Sequence, residues 1–91
     1  LVRLYFETTP GLCGQIRQAL QTEDPALLRR AAHTLKGTVA QFGVTHIGQL
    51  CGDLEQAAAT GQLAAAPQLV RALEADLQTL DQDLRRLQTS L

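Results

Sequence analysis

The sequence predicts an all-α domain, an antiparallel four-helix bundle with a kinked or split N-terminal helix. Three observations carry that prediction. Apolar residues recur at spacings of three and four along nearly the whole chain. The segments so marked are separated by short stretches holding Asp24-Pro25, Gly43 and Gly61, residues that start and stop helices. Nothing alternates with the period of a strand, and aromatic residues make up only 3% of the chain.

The first segment, residues 1 to 21, places Leu1, Leu4, Tyr5, Leu12, Ile16, Ala19 and Leu20 at helical spacing. Thr8-Thr9-Pro10-Gly11 interrupts it. An interior proline lacks the N–H a helix needs, so the segment reads as one kinked helix or two abutting pieces. The next start is better marked: the Asp24 side chain can cap orphan amides and Pro25 suits a first helical position. That helix is expected from 25 to 42, ended by Gly43 in a left-handed conformation. A third, from Thr45 to Thr60, turns Ile47, Leu50, Cys51, Leu54 and Ala58 inward and stops at Gly61. The last begins near Pro67 and carries the seam Val70, Leu73, Leu77, Leu80, Leu84, Leu87 and Leu91, running roughly 35 Å. Connections of about two to six residues favour antiparallel neighbours.

With 91 residues, 45% of them apolar, the chain makes one small domain spanning residues 1–91 with a single core. A net charge of −1 gives no bulk attraction to nucleic acid or anionic membrane, so the partners should be proteins. No run approaches the roughly 18 apolar residues of a membrane span, and no signal peptide is visible. A start at Leu1 reads as a piece of a longer polypeptide or a fragment with chosen ends. Cys13 and Cys51 lack metal-ligand spacing and sit among helical apolar residues, as reduced core cysteines of a cytoplasmic protein do. The domain is expected to be a monomer that binds no metal or cofactor of its own.

One histidine breaks the pattern of its helix. Leu28, Ala32, Leu35, Val39 and Phe42 share one stripe, and His33 points roughly 140° from its centre, toward solvent. Lys36 and Gly37 lie one turn on and Ala40 continues the row. A neutral imidazole offers a nitrogen nucleophile, and Lys36 is a point charge suited to phosphoryl oxygens. Glycine in mid-helix costs about 1 kcal/mol against alanine, a cost that makes sense if a partner must come close to His33. The plain alternative is a solvated face that happens to hold these three residues.

The turn at Gly43 and Val44 allows a register count. If its two helices are antiparallel, residues at one level have numbers summing to about 88, so His33 lies level with Glu55. A carboxylate there would hold one ring nitrogen and leave the other free; an ordinary solvated glutamate is the alternative. By the same count Gly52 lies level with Lys36, and Gly48 with Gly52 forms a flat, small-residue bed for a docking partner. Arg29 and Arg30, on the preceding turn, could attract an acidic surface. His46, at a helix start where the dipole disfavours a cation, reads as a boundary residue.

Ala32-His33-Thr34-Leu35-Lys36-Gly37, followed by Phe42-Gly43, Leu50-Cys51 and Leu54-Glu55, closely resembles the histidine-containing phosphotransfer (HPt) domains of bacterial two-component phosphorelays. The resemblance covers nearly the whole chain. It implies a four-helix bundle whose histidine accepts a phosphoryl group from a receiver-domain aspartate or a kinase and passes it to a receiver. By that resemblance His33 is the phospho-acceptor, Lys36 and Gly37 support it, and Glu55 matches a glutamate or glutamine of similar HPt and chemotaxis-kinase domains. Val39 and Ala40 depart from the commonest pattern, where small polar residues are frequent. The domain would be a carrier and not an enzyme, with response-regulator receivers or a histidine kinase as partners and magnesium held by the receiver. The parent chain would be a hybrid sensor kinase or a chemotaxis-type kinase, with this domain in the cytoplasm. The contrasting reading is a structural module in which the last helix pairs two chains as a coiled coil.

Overall fold

The structure, a computed structural model, describes residues 2–90, with side chains through Gln88; Leu1 and Leu91 of the apolar pattern lie outside the described residues. Four helices follow in order, α1 (Val2–Gln21), α2 (Pro25–Ala40), α3 (Thr45–Thr60) and α4 (Ala66–Ser90), with a short 3-10 turn at Leu63–Ala65 before the last. They form an elongated bundle of 44 × 20 × 18 Å. No helix among the described residues is long and apolar enough to cross a membrane.

Of the two forms open to the first segment, the chain takes a single unbroken helix through Pro10. The proline costs about 3 kcal/mol in a helix interior. Against this stand Tyr5, Leu12 and Ile16, buried on one face on both sides of it, each contributing about 1.5–3 kcal/mol on burial. Pro10 itself sits on the exposed side. The start of α2 is set as its sequence suggests: the Asp24 carboxylate accepts from the Leu27 N–H at 3.1 Å, with Pro25 in the first turn. The helix ends at Ala40, two residues earlier than expected. The left-handed φ of +68° at Gly43 is reached through a tightened turn, in which the Phe42 and Gly43 amides donate to the Val39 and Ala40 carbonyls. α3 has the expected bounds, and Gly61 closes it at φ +73°.

The core runs the length of the bundle. Leu28, Ala32, Leu35 and Val39 of α2 are fully buried and meet Leu54 and Cys51 of α3. Phe42, expected on the same stripe, lies past the end of α2 and is half-buried, edge-on to the Tyr5 ring at 5.6 Å. From Val70 through Leu84 the α4 seam is buried within this chain, so the apolar stripe that could have paired two chains is used inside the bundle. Side-chain ties then fix the helix order. The Tyr5 hydroxyl donates to Asp81 Oδ1 at 2.5 Å, and burial followed by this carboxylate pushes the phenol well above its ordinary range. Arg17 pairs with Glu74, and Arg85 lies 5.2 Å over the Phe6 ring. His46 pairs with Asp76, tying the start of α3 to α4.

Candidate functional site

The site lies on the α2–α3 hairpin, the most extensively packed helix pair of the bundle. The short 41–44 connection makes these helices antiparallel neighbours, and the register count from the turn holds: His33 Nδ1 lies 3.1 Å from Glu55 Oε2. The imidazole is 70% exposed, although Ala31, Ala32 and Leu35 around it in sequence are buried. Glu55 occupies the border of the apolar face of α3 and is only 19% exposed. From there its carboxylate reaches the neighbouring helix.

Lys36 completes a three-residue cluster. Its Nζ lies 2.6 Å from Glu55 Oε1, the oxygen that His33 does not use. That oxygen is sealed from solvent, and the Lys36 ammonium is the charged group that faces it. Burial alone would push the Glu55 carboxyl up; Lys36 and then His33 outweigh it and hold the group below its ordinary range. An ionised carboxylate only accepts. In the neutral ring Nδ1 is therefore the donor, and Nε2 carries the lone pair at the exposed edge.

At 100° per residue, Lys36 stands on the α3 side of His33 and Gly37 on the α1 side. Apart from the adjoining residues and the helix's own backbone, no heavy atom lies within 4 Å of where a Cβ on Gly37 would sit, and the same is true of Gly48 and Gly52. The packing of this molecule does not account for glycine at any of the three. Ala40 is exposed and Gly48 and Gly52 are half-buried along the same hairpin face. Arg29 and Arg30 are both exposed, but they diverge: Arg30 lines a shallow groove with Gln15 and Gln18 of α1, on the far side of α2 from Glu55. Val39, a departure from the commonest HPt pattern, is fully buried and never reaches this surface. His46, as exposed as His33 and also facing a carboxylate, is not joined by a lysine.

Sequence reasoning brought His33 to Glu55 but missed the Lys36–Glu55 contact. The register count assigns Lys36 to Gly52, one turn away, and says nothing of how far a lysine reaches. The available signal was that glycine itself, which leaves the lysine no side chain to rest on at its own level. Among the described residues no three His, Cys, Asp or Glu side chains converge as a metal site would require.

The fold and the cluster define a class: a helical bundle in which a solvent-facing imidazole, His33, meets a carboxylate across the α2–α3 hairpin with a lysine beside them. The chain belongs to the Hpt domain family, whose model matches residues 1–83. Its function is accordingly histidine phosphotransfer in phosphorelay signalling, as a carrier that works with receiver domains and kinases. The chain is also similar to a solved structure, the crystal structure of histidine-containing phosphotransfer protein B (HptB) from Pseudomonas aeruginosa PAO1. The TM-score is 0.94 at 23% identity, over 99% of this chain and 78% of that one, a likeness of fold. No curated protein sequence matches the chain at a significant level.

Proposed function

We propose that His33 is the phospho-acceptor of this Hpt domain and that it reacts through Nε2. The observation that carries the reading is the Nδ1–Glu55 hydrogen bond on a ring otherwise open to solvent. The Nε2 lone pair attacks the phosphorus of a receiver's aspartyl phosphate. The N–P bond forms as the P–O bond to the aspartate breaks, and the electron pair leaves on the aspartate carboxylate. The proton on Nδ1 stays in place, so the product is a phosphoimidazolium facing the Glu55 carboxylate. No base is needed to remove a proton, and the reverse path returns the group to a receiver.

Phosphoryl transfer is carried mainly by positioning and by charge at the equatorial oxygens. Lys36 is the cation nearest the ring, and magnesium is supplied on the receiver side. Gly37, Ala40, Gly48 and Gly52 form the low ground on which the partner seats, while Arg29 and, toward α1, Arg30 attract its acidic surface. The domain works as a monomer in the cytoplasm. Incubation with a phosphorylated receiver and magnesium tests the reading: the domain should gain a label that His46→Gln leaves intact and His33→Gln removes. Persistence of the label in His33→Gln overturns it.

A further inference from the structure

Lys36 has two claims on it. The phosphoryl group on His33 needs a cation, yet in the unphosphorylated domain the ammonium is already placed 2.6 Å from Glu55 Oε1. Resting on the assignment of His33 as acceptor, we propose that Lys36 exchanges partners during transfer, neutralising Glu55 while His33 is free and leaving it for the phosphoryl oxygens once His33 is phosphorylated. Phosphorylation thus separates the two halves of the resting ion pair.

The geometry favours exchange over a fixed pair. His33 and Lys36 hold the two oxygens of one carboxylate, so a single group joins the ammonium to the imidazole. Lys36 is 41% exposed on a flexible four-carbon stem. Its ammonium can swing from one anion to a neighbouring one without any movement of the helix. The imidazole is itself 70% exposed, so the path from the carboxylate to its outer edge runs over open surface. The charge on the carboxylate is also compensated afresh. The groups that face Glu55 are His33 and Lys36 of α2 and the Cys51 thiol on its own helix. When Lys36 departs, the ring it leaves behind has become a cation at Nδ1–H, so Glu55 exchanges an ammonium for an imidazolium.

Were Lys36 to stay on Glu55, the dianionic phosphoryl group would lose the cation one turn along the helix and be left with the exposed Arg29 of the preceding turn. Were it never engaged with Glu55, the buried Oε1 of the resting state would lack charge compensation. Exchange satisfies both states with one lysine. It also makes the resting ion pair a brake on phosphorylation, since the pair must be broken for the product to form.

A double-mutant cycle on the transfer equilibrium tests this, because it reads only interactions that differ between the two states. The ratio of phosphorylated domain to phosphorylated receiver is measured for wild type, Glu55→Gln, Lys36→Gln and the double variant, with a phosphorylated receiver as donor and folding checked by circular dichroism. Exchange predicts that Glu55→Gln favours the phosphorylated domain about fivefold more when Lys36 is present than in the Lys36→Gln background. Lys36→Arg should restore most of that coupling, and added salt should shrink it. Additive effects, with the label still on His33, overturn the exchange and leave the acceptor assignment standing. A label absent from wild type, or retained in His33→Gln, overturns both.

Discussion

Replacing Gly37 by alanine separates what this residue does for the helix from what it does for a partner. Gly37 lies in the interior of α2, is exposed, and has no heavy atom within 4 Å of its Cβ position beyond the adjoining residues and the helix's own backbone. A methyl group there meets neither a clash nor a cavity, so only the backbone terms act. Glycine is about 0.8–1 kcal/mol less favourable than alanine in a helix interior, partly through the entropy of the unfolded chain. Gly37→Ala should therefore stabilise the domain by about 1 kcal/mol. With a urea m-value near 1 kcal/mol/M for a domain of this size, the unfolding midpoint should rise by about 1 M. Gly14→Ala on α1, also exposed and open, is the control and should stabilise comparably. The two should part in phosphotransfer. A methyl beside His33 displaces the incoming receiver and should slow transfer roughly tenfold or more, since near-attack geometry tolerates little displacement. Gly14→Ala should leave the rate unchanged. A loss of stability in Gly37→Ala would refute the packing argument, and a gain with unaltered transfer would refute partner approach as the reason for glycine.

Acid should weaken the domain partly through Glu55. Its folded carboxyl is held below the ordinary range, so its contribution is present above the unfolded value of about 4.3 and lost as pH falls through the folded one. Urea titrations should show wild type more stable than Glu55→Gln near neutrality, with the difference vanishing in acid; a difference that grows on acidification contradicts the sign. The thiols should be inert in the native state. Burial, reinforced by Glu55, pushes the Cys51 thiol up to about 12, and burial also raises Cys13, so rapid alkylation of Cys51 in native buffer at mildly alkaline pH would contradict the buried placement. Sedimentation should give a monomer across dilution, because the α4 seam from Val70 to Leu84 is already covered; a dimer that loses helicity on dilution would revive the coiled-coil module.

The elements legible in the sequence were those fixed by local chemistry. Gly43 and Gly61 have no side chain to oppose a left-handed φ, and Asp24 with Pro25 satisfies a helix start, so those boundaries were legible to within two residues without tertiary information. The outward direction of His33 followed from the stripe opposite it. Its pairing with Glu55 followed from the tightness of one turn. What escaped depended on neighbours or on side-chain reach. Whether α1 would survive Pro10 was a contest between a local cost and the burial of Tyr5, Leu12 and Ile16, which only the folded bundle decides. The Leu63–Ala65 turn lies in an alanine-rich stretch that carries no breaker of its own. The His46–Asp76 pair required knowing how α4 crosses the start of α3. Lys36 reached a residue one turn from its own level because its side chain is long and Gly52 leaves the intervening surface low.

The central claim is a single bond, between phosphorus and Nε2 of His33. The measurement is nitrogen-15 NMR of the imidazole-labelled domain after transfer from a phosphorylated receiver, held at alkaline pH where a phosphorus–nitrogen bond persists. The result predicted is one phosphorylated ring, that of His33, with phosphorus on Nε2, and its signal lost in His33→Gln. Phosphorus on Nδ1, or on the ring of His46, would contradict it.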